Sequence, residues 1–417
     1  MSGCVLRNAP WLTSGPAARV LELLGGGTEE ARVVGGAVRN ALLNIPVGEI
    51  DIATTALPDE VIRRAKTAGI KSVPTGIAHG TVTLVVDGQP FEVTTLREDI
   101  ETFGRKAKVA FGRDWMRDAE RRDFTINGLS VGVDGAVHDH VGGLDDIAAK
   151  RVRFIGDPDQ RIAEDYLRIL RFFRMHAAFG AGEPDRNGVL ACIRGRPGLA
   201  GLSAERVRME MLKLLVAEGA AKAVVAMEDG GLLLALFGGV AYRGPFTAMI
   251  AAERMLGLPA NPIRRLGALG VAVTEDAKRL AVRLRLTNDE TRALDSMGHR
   301  WWRLAGMDEA TAKRRLYRLG AARYRDRLML AWARAGRDAD PLAWRALATL
   351  PERWSAPKFP LKAADFIARG IAQGPALGHV LALAEDAWLA ADFPLAQSAL
   401  TAIADQSAVR FARDHRL

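Results

Sequence analysis

The spacing of apolar and polar positions changes once along this chain. In the first part, short β-rich runs alternate with helical stretches. Ala31 to Val34 is a mostly apolar run ending in Gly35-Gly36, and Ala37 to Leu43 follows with helical spacing. Glu49 to Ile52 alternates polar and apolar, the period of a half-buried strand. Pro58 to Ala68 has the pattern of a helix with Pro in its first turn. Thr81 to Val86 and Phe91 to Leu96 are β-branched runs separated by Asp87-Gly88-Gln89-Pro90, which predicts a hairpin with Asp-Gly turn chemistry. From about Gly156 the strand signals fade. Ala, Leu and Arg then dominate with helical periodicity, punctuated at Gly195 to Gly201, Gly230-Gly231, Gly257 to Pro262 and Pro351 to Pro360. The pattern predicts a small α/β domain on a mixed or antiparallel sheet, followed by an all-helical remainder.

The 417 residues are enough for more than one domain, and 49% apolar with 26% charged residues is globular composition rather than disorder. The net charge of +9 suits a polyanionic partner. Much of the excess sits in one stretch: Arg300 to Arg337 holds ten Arg and one Lys against Asp308, Glu309 and Asp326. Aromatics interleave there (Trp301, Trp302, Tyr317, Tyr324 and Trp332) at spacings that place most of them in a core. The two cysteines, Cys4 and Cys192, have no metal-ligand spacing and read as free thiols of a reducing cytoplasm. Met1 to Leu12 carries no apolar run of signal-peptide length, and no stretch is long enough to span a bilayer, so a membrane role is not expected.

Candidate chemistry begins with carboxylates. On a strand, Glu49 and Asp51 point the same way while Ile50 and Ile52 point to the core. Two such carboxylates repel unless a cation sits between them, and a pair of this kind suits divalent metal. Alternation also sets Glu92 opposite Phe91 and Val93, making it a third ligand if its strand lies beside the first. Acid-x-acid on a strand alone is more often a solvated sheet face. The upstream Gly35-Gly36 changes that balance: paired glycines before a helix let backbone approach a triphosphate, and Arg39 lies one turn into that helix.

These residues carry a resemblance. Gly35-Gly36-Ala37-Val38-Arg39 followed by Glu49-Ile50-Asp51 resembles the first motif of the polymerase-β-like nucleotidyltransferases. More specifically, it is similar to the class II CCA-adding enzymes (tRNA nucleotidyltransferases) and the related bacterial poly(A) polymerases. Arg121 to Asn127, RRDFTIN, resembles the second motif; Asp139 to Asp145, DHVGGLD, the segment where head meets neck. Glu164 to Arg171, EDYLRILR, resembles the motif that selects the incoming base, and Ser203 to Arg208 the last neck motif. Three positions depart: Glu49 and Asn40 stand where Asp is usual, and Gly128 where Ala is usual.

The resemblance implies an α+β catalytic head over 1–154, a helical base-selecting neck over 155–220, and an all-α body and tail over 221–417 that bind tRNA. It implies template-independent addition or repair of the 3′-terminal CCA from CTP and ATP, with two Mg²⁺ held by Glu49, Asp51 and Glu92. Gly35, Gly36, Arg39, Arg122, Asp123 and Asn127 form the expected nucleotide-binding set. On a predicted helix, Asp165 and Arg168 share a face and can present a base-like edge to cytosine or adenine, with Arg171 and Arg174 continuing the stripe. The stretch Glu98 to Glu120, including Gly104-Arg105-Lys106, resembles the flexible loop that helps switch from C to A addition. Arg300 to Arg337 is expected along the acceptor arm. The alternatives are a poly(A) polymerase, a partial CC- or A-adding enzyme, or a silent RNA-binding scaffold. The Asp165/Arg168 pair and the loop length favour CCA addition.

Overall fold

The computed structural model describes residues 4–6, 9–103, 106–336 and 339–414, and residues 98–110 by their backbone alone. Gly104-Arg105 and Arg337 therefore lie outside the described residues. The chain forms two compact units, one of Met1–Ala241 with Arg283–Arg285, the other of Tyr242–Val282 with Leu286–Leu417.

The first unit opens with a seven-stranded sheet. Its strands are β1 (Ala31–Val34), β2 (Asp51–Thr54), β3 (Lys71–Gly76), β4 (Thr81–Val86), β5 (Gln89–Thr95), β8 (Ser130–Val131) and β9 (Val137–His138), in the order β3-β4-β5-β2-β1-β8-β9. A separate ribbon pairs β6 (Arg97–Phe103) with β7 (Lys106–Phe111). The sheet is mixed: β2 and β5 run parallel, with Ile52 beside Val93, and the other pairs are antiparallel. β4 shows why these residues form a strand. Val82, Leu84 and Val86 are buried in alternation with less buried Thr81, Thr83 and Val85. Each fully buried side chain of this size contributes roughly 1.5–3 kcal/mol of hydrophobic stabilisation before entropy is counted.

The apolar face packs on the helices Gly15–Leu24 and Pro58–Thr67, with Val20, Leu24, Val61 and Ala65 meeting Val33, Ile52, Val82 and Val93. The hairpin turn is tighter than expected: Asp87 and Gly88 both have positive φ, 51° and 78°, and Gln89-Pro90 already belong to β5. Two consecutive positive φ values match the twist of the flanking strands.

All the sheet strands lie before residue 139, and helices follow. Phe124 and Phe154 meet at 4.9 Å, and Phe154 stacks on Phe172 at 5.3 Å, which joins the end of the sheet domain to the helix Leu167–Phe179. The second unit holds helices and the segments that join them, with no strand among its described residues. One of its cores centres on Tyr324, Leu328 and Leu316, another on Trp388, Phe366 and Val380. The aromatic reading holds in part: Tyr324 is fully buried, Trp301, Tyr317 and Trp332 pack against these cores, and Trp302 is half exposed. No helix among the described residues is long and apolar enough to cross a membrane.

Candidate active site

The acids come first because the sheet places them. β2 starts at Asp51, so the strand expected from Glu49 begins two residues later and Glu49 lies in the irregular segment before it. Period-two alternation therefore acts from Asp51 onward: Ile52 faces the core while Asp51 is exposed on the opposite face. The parallel register of Ile52 with Val93 puts Asp51 next to Glu92 on that same face. Loss of water around its carboxyl within the cleft pushes Asp51 above the ordinary carboxylate range. Glu92 and Glu49 push the same way, and Arg122 opposes them. Among the described residues, no three acidic, His or Cys side chains are close enough to form a ready-made metal site.

Beside Asp51 the chain leaves β1 through Gly35, whose φ of +72° favours glycine, into the helix Gly36–Leu42. A Cβ on Gly35 would lie 3.3 Å from Arg122 Nη1, so the glycine also lets that guanidinium approach the backbone. Arg39 does not reach out from this helix. It is buried, lies 3.9 Å over the Phe179 ring, and donates to the side-chain oxygens of Asn127 and Asn40. Burial, then the neighbouring Arg174, lowers its pKa to about 10, which leaves it protonated at neutral pH.

A cleft of about 460 Å³ gathers most of the expected residues: Gly35, Gly36, Arg39, Asp51, Arg122, Asp123, Asn127, Asp165, Arg168 and Arg171 all line it. Glu49, Glu92 and Arg174 do not. Arg174 pairs instead with buried Glu210. Asp123 ties the cleft together. Its Oδ1 accepts from Asn127 at 3.0 Å and its Oδ2 from Arg171 Nε at 2.7 Å. Burial alone would raise the Asp123 pKa, but Arg171 holds it below the usual range.

The base-selecting segment is not one helix. The helix Pro158–Glu164 ends at Asp165, whose φ of −153° is extended, and a second helix begins at Leu167. Asp165 accepts from Leu167 N at 3.1 Å, a local side-chain bond that competes with helix continuation. Arg168 donates to the Arg161 carbonyl at 2.8 Å and pairs with Glu164. Asp165 pairs with Arg206 rather than Arg168, through contacts of 3.2 and 2.5 Å.

Three supporting residues were not singled out from the sequence. Arg206 and Glu210 lie one turn apart on the helix Ala204–Leu215 and engage Asp165 and Arg174. Asp118 is 3% exposed on the helix Trp115–Glu120 and pairs with Arg121 at 2.6 Å and Arg122 at 3.0 Å. Its spacing three and four residues before those arginines is the signal that marks it, once the segment is known to be helical.

The DHVGGLD segment is a built turn. Asp139 accepts from the backbone N–H groups of Val141, Gly142, Gly143 and Leu144 at 2.9–3.0 Å. Gly143 is required by space: a Cβ there would lie 2.3 Å from the Thr125 carbonyl oxygen. The ribbon β6–β7 occupies the expected switching loop. Its side chains from 98 to 110, and Gly104-Arg105 entirely, lie outside the described residues.

Acids on a mixed sheet, beside a Gly-Gly helix entry and an arginine-lined cleft, define a nucleotidyltransferase head. Residues 31–153 match the Poly A polymerase head domain, and residues 190–243 match the domain described as the probable RNA and SrmB-binding site of polymerase A. The chain is 33% identical over 389 residues to the mitochondrial CCA tRNA nucleotidyltransferase 1 of Danio rerio, covering 91% of this chain and 88% of that protein. It is 33% identical over 378 residues to the CCA-adding enzyme of Limosilactobacillus fermentum, covering 88% and 90%. The crystal structure of the Bacillus stearothermophilus CCA-adding enzyme in complex with CTP superposes with a TM-score of 0.73 at 26% identity, over 95% of this chain and 98% of that one. The chain belongs to the CCA-adding tRNA nucleotidyltransferase family.

Proposed function

We propose that this chain adds or repairs the 3′-terminal CCA of tRNA, without a template, from CTP and ATP. The observation that carries the reading is the single cleft in which Asp51, Gly36 and Arg122 meet Asp165 and Arg168. Reacting phosphate and incoming base are thereby served by one cavity. In the reaction the RNA 3′-oxygen bonds to the α-phosphorus, the bond from that phosphorus to the β-phosphate bridging oxygen breaks, and pyrophosphate leaves with the hydroxyl proton released.

Asp51 and Glu92, with Glu49 two residues before Asp51, are hard oxygen donors whose mutual repulsion a divalent cation would offset, so they fit Mg²⁺. Two bound Mg²⁺ ions would supply a lowered pKa at the attacking hydroxyl and neutralisation of the triphosphate. Gly35 and Gly36 leave room for phosphate against the backbone, and Arg122 supplies charge above them. Arg39 contributes its positive charge from the cleft floor and holds Asn127 in place.

For the base, a carboxylate has about four acceptor sites. Leu167 N and Arg206 use three of those of Asp165, leaving capacity for an exocyclic amine. Arg168 spends Nη1 on Arg161 and Glu164, leaving Nε and Nη2 to donate to a ring acceptor. Cytosine and adenine offer that amine–acceptor pair; uracil and guanine do not. Arg171 holds Asp123, and Arg174 with Glu210 braces the same helix.

We assign 1–154 to the catalytic head, 155–220 to the base-selecting neck and 221–417 to tRNA binding. A groove of about 570 Å³ supports the last assignment as a track for the acceptor-arm phosphates: Arg314, Arg315 and Arg318 line it together with Asp386, which pairs with Arg318. A cytoplasmic setting fits the two free thiols. The test uses tRNAs ending before CCA, after C and after CC, with Mg²⁺, CTP and ATP. Growth that stops at CCA on all three is expected. A long A tail, CC alone or A alone would replace the reading with poly(A) synthesis or partial addition.

A further inference from the structure

In the segment that carries Glu49, Val47 and Ile50 pack against the sheet core, and Asn40 ties its start to the cleft. Residues 45–50 have no regular structure, and Asn40 holds the start of this segment twice. Its carbonyl accepts from Ile45 N at 2.8 Å, and its side-chain Nδ2 donates to the Pro46 carbonyl at 3.3 Å. The other end of the same amide faces Arg39: Oδ1 accepts from Nε at 3.1 Å and from Nη2 at 2.8 Å. The chemistry fixes this orientation. A guanidinium only donates and a carbonyl only accepts, so the oxygen must face Arg39 and the NH₂ must face Pro46. From Arg39 the chain of bonds continues to Asn127, Asp123 and Arg171. A carboxylate at position 40 would serve Arg39 but would oppose the Pro46 carbonyl.

We propose that Asn40 is a positioning residue that links the Glu49 loop to the Arg39–Asn127–Asp123–Arg171 network, so that Glu49 is held ready for metal beside Asp51. The inference rests on the reading of Glu49 and Asp51 as metal ligands. Asn40 is not among the residues that line the cleft; it acts through the loop. The glutamate at position 49, one methylene longer than aspartate, gives the loop reach, and the tie at Pro46 limits how that reach is used.

The test measures Mn²⁺ binding to the full chain without nucleotide or RNA, by the electron paramagnetic resonance signal of free Mn²⁺. Asn40→Leu is neutral and close in size, and removes all three side-chain bonds. It is expected to weaken Mn²⁺ binding about three- to tenfold, as loss of one or two modest hydrogen bonds would. Asn40→Asp keeps the acceptor for Arg39, which guards against misfolding, and loses only the loop tie. It too is expected to weaken binding, although added negative charge alone would tighten it. In a Glu49→Ala background neither change should have a further effect. Unchanged binding in Asn40→Leu, tighter binding in Asn40→Asp, or an equal loss without Glu49 would each overturn the proposal. Wild-type protein that binds no Mn²⁺ would overturn the metal reading itself and this inference with it.

Discussion

Asp118 bears the most stringent test of how the cleft is held. It is 3% exposed and carries two arginines, whose side chains are 18% and 20% exposed. Removing one partner of a buried pair costs roughly 3–5 kcal/mol, because the remaining charge is left uncompensated. Arg121 and Arg122 keep some access to water, which places Asp118→Asn near the lower end, about 3 kcal/mol. At 1.4 kcal/mol per factor of ten, local opening of the 115–131 segment should rise on the order of a hundredfold. Hydrogen exchange of that segment in the full chain reads this directly.

The pH dependence supplies the sign. Burial alone would raise the Asp118 pKa, but Arg121 and Arg122 hold it below its ordinary value, so the unfolded chain binds the proton more readily. The stabilisation is complete above the unfolded value of about 3.9 and is lost as pH falls through the lower folded value. The gap between wild type and variant should hold from pH 7 to 5 and close below about pH 4. A gap that persists undiminished at pH 3, or no gap at pH 7, would refute the assignment of this carboxylate as the anchor of Arg121 and Arg122.

Other expectations follow from single contacts. Gly128→Ala places a Cβ 2.5 Å from Val141 Cγ2 and should cost about 1–3 kcal/mol in a denaturation series, with Val141→Ala restoring most of it. Arg206→Lys cannot reproduce the two-point grip on Asp165, so UTP and GTP misincorporation should rise several-fold relative to CTP and ATP while the fold is kept; an unchanged nucleotide ratio would argue against Arg206. Replacing Arg314 and Arg315 by Gln should weaken tRNA binding and flatten its salt dependence by about one phosphate contact each, and an unchanged slope would remove this groove from the RNA path. Asp51→Asn should abolish incorporation while leaving unfolding close to wild type, since Asp51 is an exposed residue.

Much of this was legible in the chain. Val82, Leu84 and Val86 alternate in sequence as they do in burial, and the change to helical spacing after residue 156 marks where the sheet domain gives way to helices. The glycines and Asp51 stood out because Gly-Gly-x-x-Arg followed by acid-x-acid is scarce, Arg122 and Asp165 through the family resemblance, and one cleft gathers them. What sequence did not reveal was set by pairing across distance. The parallel register of β2 with β5 brings Glu92 to Asp51, and no local pattern specifies a partner strand. The break at Asp165 was hidden because its side-chain bond to Leu167 N outweighs helix continuation, which periodicity does not record. Arg39 read as a phosphate contact from its place one turn into a helix; burial under Phe179 and the bond to Asn127 give it a supporting position on the cleft floor. Nothing in the local sequence marks Glu210, whose burial against Arg174 depends on two helices meeting.

One cleft is expected to complete CCA and then stop. The most direct measurement is sequencing of RNA 3′ ends after wild-type protein and Asp51→Asn are each given a tRNA lacking its last three nucleotides, with all four nucleoside triphosphates present. Wild type is expected to leave ends of CCA and no longer, and the variant to add no nucleotide. Runs of A beyond the third position, U or G within the added sequence, or full activity without Asp51 would contradict it.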